Sequence, residues 1–187
     1  MIPMLLLAAA VAIPNGFMLY EKAAAKKDDN PEHSWEVTGR TSARLVVNPC
    51  DRSTLARSGR KAAKTLIYTA VPDYSKSEQV ILYTSRAGAK KAMRDVRAAV
   101  RACGTKGYRF SAKRVKLGDE SLAVIGQAYR GRKPAIGGER AIVTRRANAL
   151  VIYTVAGEWG PPANADFKMQ IKDSKKMLGK ICKIAAC

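Results

Sequence analysis

Four cysteines, one histidine and a run of regularly spaced cations are the residues of this chain that could do chemistry. The cysteines are Cys50, Cys103, Cys182 and Cys187. No two of them stand in the Cys-x-x-Cys spacing that would depress a thiol pKa or begin a zinc site. His33, the sole histidine, sits in the polar stretch KKDDNPEHS. It is a poor candidate for a metal ligand, and without a second histidine the Ser-His-Asp and Cys-His arrangements lack their base. Asp119 and Glu120 are adjacent carboxylates, but neighbours on a strand point to opposite faces. They suit a turn better than acid–base work. No glycine-rich loop follows a strand in a phosphate-binding pattern. The expectation is a protein with no catalytic residue, no metal and no cofactor.

The cations are more suggestive. Arg86, Lys90, Arg94, Arg97 and Arg101 recur at three- and four-residue spacing. At about 100° per residue they fall in one narrow sector of a helix. The chain carries a formal charge of +19 over 187 residues. Such a balance favours anionic partners: cell-wall polymer, anionic lipid or nucleic acid. Aromatic residues are few and do not interleave with the basic ones, which counts against a nucleic-acid stacking platform. The five cations are the anion-binding candidate, and the same stripe would also suit a plain solvated helix face.

These residues need elements to position them. Ser85 caps a helix from Arg86 to Cys103, with Ala89, Ala92, Met93, Val96, Ala99, Val100 and Cys103 forming its apolar face. Gly104 ends it. Before it, TLIYTAV at 65–71 and QVILY at 79–83 read as a hairpin with the long loop PDYSKSE. Asp51 or Ser53 would cap an earlier helix through about Ala63. After the long helix come strands at 108–115, 121–129, 140–145 and 149–155, with GRKPAIGGE as a loop. Asn164 begins a closing helix that buries Phe167, Ile171, Leu178, Ile181 and Cys182. The pattern predicts an α+β domain: a mainly antiparallel sheet of five to six strands, helices packed on it, and disulfides. An even cysteine count in an exported chain gives two bridges with three connectivities.

The first 20 residues carry no charge, and Ala23-Ala24-Ala25 supplies small residues at the spacing a signal peptidase accepts. Residues 1–25 are therefore read as a signal peptide, 26–34 as a flexible linker and 35–187 as one domain. An uncleaved N-terminal membrane anchor is the rival reading. Pro14 and Gly16 interrupt the run, which is short against the roughly 20 residues of a spanning helix. No cysteine precedes Cys50, so no lipid-anchoring motif is present.

The order of landmarks resembles a known family. NPC at 48–50, AVRAC at 99–103, LGDES at 117–121, ANALVIYTVAG at 147–157 and KIC at 180–182 together resemble the PknH-like extracellular, sensor-like domain of actinobacteria. That domain forms the outer part of some receptor kinases and also occurs free. The resemblance spans about Val46 to Cys182. It implies an antiparallel sheet flanked by helices, disulfide staples and a cleft for a ligand. It brings no catalytic residues. Cys50 and Cys103 match recurring family cysteines, whereas Cys187 has no place in the pattern. The expected pairing is Cys50 with Cys103, which ties the N-terminal segment to the longest helix, and Cys182 with Cys187. The second bridge requires the last helix to unwind between its two cysteines. The functional expectation is a secreted, monomeric, non-enzymatic domain that binds a small ligand or an extracellular protein. The alternative is a cationic protein that adheres to anionic polymers.

Overall fold

The computed structural model describes residues 12–187. The described residues form seven strands: β1 (His33–Thr38), β2 (Arg60–Ala70), β3 (Tyr74–Tyr83), β4 (Tyr108–Arg114), β5 (Glu120–Arg130), β6 (Lys133–Arg146) and β7 (Ala149–Gly157). They make one antiparallel sheet in the order β1-β2-β3-β7-β6-β5-β4. Two meanders are joined by helix α2 (Arg86–Ala102), which returns the chain so that β3 lies beside β7. The α+β class and the antiparallel sheet agree with the sequence. The strand count is seven rather than five to six, because the short run around Trp35 pairs with β2 over its whole length, Trp35 opposite Tyr68.

Local corrections have physical causes. The expected helix from Asp51 to Ala63 is absent. Asp51, Ala56 and Gly59 adopt φ of 49°, 51° and 74°, which no right-handed helix accommodates. The loop's carbonyls find side-chain donors instead. The Arg60 guanidinium donates to the carbonyls of Thr41, Ala43, Leu55 and Ala56, and the Tyr83 hydroxyl donates to Ala56. Ala62 and Ala63 then belong to β2. The PDYSKSE and GRKPAIGGE stretches are mostly strand. Ser75 and Ser77 pair with Thr69 and Ile67, and β6 begins at Lys133, directly after a turn at Gly131-Arg132. His33 and Ser34, read as linker, pair with Ala70 and Thr69. Only residues 26–32 remain as an exposed connector.

The sheet is covered on both faces. On one, Ile81, Tyr83, Val124, Val143 and Ile152 pack against Ala89, Ala92, Met93, Val96, Ala99 and Val100 of α2, and against Leu45, Val47 and Leu55 of the preceding loop. Ser85 Oγ caps α2 by accepting from the Gly88 N–H at 3.0 Å. On the other face lies α3 (Lys168–Ile181), entered through a tight turn at Asn164–Phe167. Its Met177 and Ile181 meet Leu66, Val80, Leu82, Val151 and Tyr153. Burial on both faces explains why β7 reads as a continuous apolar run.

The second face has one further cover. Ile13, Phe17 and Met18 are buried in the same cluster, ahead of the short helix α1 (Glu21–Ala24). Within the stretch read from sequence as a signal peptide, residues 13–20 are therefore packed against the domain; residues 1–11 lie outside the described residues. Among the described residues no helix is long and apolar enough to cross a membrane.

Candidate functional site

The cysteines are joined in two bridges, Cys50 to Cys103 and Cys182 to Cys187. The first ties the loop before β2 to the C-terminal end of α2. The second closes the turn that follows α3, where the N–H groups of Lys183, Ile184 and Ala185 donate to the carbonyls of Lys180 and Ile181. Neither pair is a free thiol, so neither offers a nucleophile or a metal ligand.

The five-cation stripe lies on the outer side of α2, but its members have different surroundings. Arg86 donates to the carbonyls of Ala186 at 2.8 Å and Cys187 at 2.7 Å, holding the C-terminus. Arg97 pairs with Glu120 at 2.6 Å, joining helix to sheet. Lys90, Arg94 and Arg101 are exposed, and among the described residues none of the three forms an ion pair. Two of the five candidates are thus structural ties and three are free.

Geometry adds a residue that the helix pattern could not supply. A groove of about 580 Å³ runs between α2 and the edge strand β4. Arg97 and Arg101 line it from the helix, and Arg114 faces them from the strand. Val100, Phe110 and Leu122 form its apolar floor. Arg101 and Arg114 are both exposed, and among the described residues only Arg97 of the three has a carboxylate against it. An apolar floor with guanidinium groups on both banks can hold a planar or tetrahedral anion by forked hydrogen bonds. Arg114 is missed by sequence reading because β4 is mostly exposed and shows no clean alternation. Only the register with β5, Arg114 opposite Leu122, places it beside the helix.

The carboxylates of LGDES are structural. Asp119 accepts from Arg145 Nη1 at 2.8 Å, Arg146 Nη1 at 3.1 Å and the Ala147 N–H at 2.8 Å. Partial burial raises its pKa, but the Ala147 N–H and the two guanidinium groups outweigh that and hold it below the usual range. Asp119 thereby fixes the turn between β6 and β7. Arg140, fully buried, is likewise a tie. It bonds Asp166, Gln127 and the carbonyls of Gly126 and Gly160, and lies over the Trp159 ring. With its donors so engaged it has nothing left for a ligand.

Glu139, on β6, has a carboxyl shifted into the physiological range. Burial pushes its carboxyl up to about 7, and the nearby Arg140 only partly opposes this. Its Oε1 has no hydrogen-bond partner. The unfolded chain releases this proton near the ordinary value of 4.5. Between that value and about 7 the unfolded state binds fewer protons, so stability falls as pH rises through the window. Replacing Glu139 by Gln should leave stability near pH 4 unchanged and raise it at pH 8, by up to about 3 kcal/mol. Thermal melts of the two proteins across pH 4–8 check this; parallel curves would show that Glu139 does not titrate as described.

Comparison with known proteins reaches the fold. No protein-family model and no curated protein matches the sequence. Among solved structures, the extracellular domain of PknH from Mycobacterium tuberculosis superposes with a TM-score of 0.59 at 12% identity, over 90% of this chain and 94% of that one. A putative uncharacterized protein (Rv0999 ortholog) from Mycobacterium smegmatis matches with a TM-score of 0.34 at 12% identity, over 83% and 90% of the two chains. The first establishes that this chain has the fold of the PknH extracellular domain.

Proposed function

We propose that this protein is an exported, non-enzymatic, sensor-type domain that binds an anionic extracellular ligand in the groove between α2 and β4. The observation that carries this reading is the convergence of Arg97, Arg101 and Arg114 on one groove in which a single carboxylate neutralises only Arg97. The shared fold with an extracellular domain supports the compartment. The ligand offers a phosphate, sulfate or carboxylate to the guanidinium groups and a small apolar surface to Phe110.

The test is the double substitution Arg101→Gln with Arg114→Gln, compared with Lys168→Gln and Lys172→Gln. The two pairs remove equal charge; Lys168 and Lys172 are exposed on α3, across the sheet. Heparin and a glycerol-phosphate polymer serve as probes. The groove pair should weaken binding about tenfold and the control pair much less. The salt slope should fall by about 2 if each arginine meets one anionic group.

A second reading rests on Lys90, Arg94 and Arg101, which are exposed and, among the described residues, form no ion pair. In that reading the protein adheres to anionic polymer through diffuse charge. Equal losses in the groove and control pairs would favour it over a formed site.

A further inference from the structure

We infer that export processing cuts this chain after Ala12, at Ala10-Val11-Ala12, and that Ile13 to Ala25 stays in the mature domain as a structural strap. This rests on the reading of the protein as exported. The sequence offers three sets of small residues at the −3 and −1 spacing of a leader peptidase: Ala8 and Ala10, Ala10 and Ala12, and Ala23 and Ala25. The structure sets the last apart from the first two, because Ile13 to Ala24 is part of the fold, and of the two sets that spare this segment the one ending at Ala12 directly adjoins it.

The strap does more than cover apolar surface. Two charged residues buried in the sheet find partners in it. Lys64, 8% exposed, donates to Asn15 Oδ1 at 3.0 Å and pairs with Glu21. Glu78, 0% exposed, accepts from the N–H groups of Leu19 at 2.8 Å and Tyr20 at 2.7 Å, and from the Tyr153 hydroxyl at 2.6 Å. Tyr20 also donates to Asp173 at 2.8 Å, linking strap to α3. Its ring joins Trp35 and Tyr68 around the Lys76 ammonium, which lies 5.3, 5.6 and 5.1 Å from the three ring centres. Leader cleavage precedes folding outside the cell. A cut after Ala25 would deliver a sheet whose Lys64 has lost both partners and whose Glu78 has lost two of three. An unpaired buried charge is strongly unfavourable. A cut after Ala12 leaves every one of these contacts intact. Ala12, Pro14, Asn15 and Gly16 are exposed, so the new end lies at the surface.

The step is a hydrolysis by a leader peptidase. Water adds across the Ala12–Ile13 peptide bond. The leader leaves with the Ala12 carboxylate, and Ile13 keeps a free α-amino group.

The experiment is N-terminal sequencing and intact-mass measurement of the full chain exported by a bacterial host. The expected first residue is Ile13. Ala10→Phe, which fills the −3 position, should cut the processed product at least tenfold, and Ala23→Phe at an exposed site should change nothing. A mature protein beginning at Lys26 would overturn this inference and leave the export reading standing. Met1 retained on protein inside the cell would overturn both, and Met1 retained on exported protein would overturn the cut alone. A second measurement does not depend on the host. A protease site inserted in the exposed 26–30 stretch is cleaved in the folded protein. The N-terminal fragment should stay bound until denaturant is added. Its release with an unchanged melting temperature would show that the strap is dispensable and sink the proposal.

Discussion

A chain that begins at Lys26 should melt roughly 10 °C below one that begins at Ile13. The missing segment buries Ile13, Phe17 and Met18 against Leu66, Val80, Leu82 and Tyr153. Each large apolar side chain contributes about 1.5–3 kcal/mol when fully buried. Ordering the strap has an opposing entropic cost of about 1–2 kcal/mol per fixed residue. The strap residues alone would then not stabilise the domain. The balance is tipped from the sheet side, whose own apolar surface is also uncovered, and by Lys64 and Glu78, which lose their strap partners. Removing one partner of a buried charge pair alone costs about 3–5 kcal/mol, a large part of the roughly 5–15 kcal/mol that holds a domain together. At 2–4 °C per kcal/mol for a chain of this size, the shift follows. Calorimetry of the two proteins measures it, and a hydrophobic dye should bind the shorter one. Equal melting temperatures would mean that the strap only decorates the sheet.

The sequence reads residues 13–25 as leader while the fold packs them on the sheet, and the reason for the two readings is physical. An uncharged run with small residues has the composition of a leader, and it also has the composition of a segment that covers an apolar sheet face. What distinguishes them is a long-range pairing, Glu78 with the Leu19 and Tyr20 amides, across about 60 residues of chain. No local pattern encodes that. By contrast α2 was legible to within a residue, because cap, apolar stripe and cation stripe all sit within one helix. The segment from Asp51 to Ala63 failed for the opposite reason. Its local composition allowed a helix, but the Arg60 and Tyr83 side chains satisfy its carbonyls in a looped form. The candidate groove shows the same division. Arg97 and Arg101 were readable from helical spacing, whereas Arg114 enters only through the register of an edge strand.

The bridge between Cys50 and Cys103 should be worth about twice the bridge between Cys182 and Cys187. Its half-cystines are 53 residues apart, against 5 for the other. In the chain-entropy account, closing a loop of that size removes about 4 kcal/mol of denatured-state freedom, and the short loop about 2 kcal/mol. The positions of the bridges widen the difference. Cys50 packs at the margin of the α2-side core, so its bridge also holds the 39–58 loop over β2 and β3. The other bridge closes a turn past the end of α3, beyond the last buried residue, Ile181. Its bonded neighbours, the carbonyls of Ala186 and Cys187, have the Arg86 guanidinium to hold them whether or not the bridge is present. Urea unfolding of Cys50→Ala with Cys103→Ala, and separately of Cys182→Ala with Cys187→Ala, gives the comparison directly. The first pair should shift the midpoint markedly and the second by about half as much. The groove should respond in the same order, because Arg97 and Arg101 lie within two turns of Cys103 on α2. Loss of the first bridge frees that end of the helix, so heparin binding should weaken with stability, while loss of the second leaves binding unchanged. If the two pairs cost the same, or if the short loop costs more, the stability of this domain does not depend on tying the N-terminal loop to its longest helix.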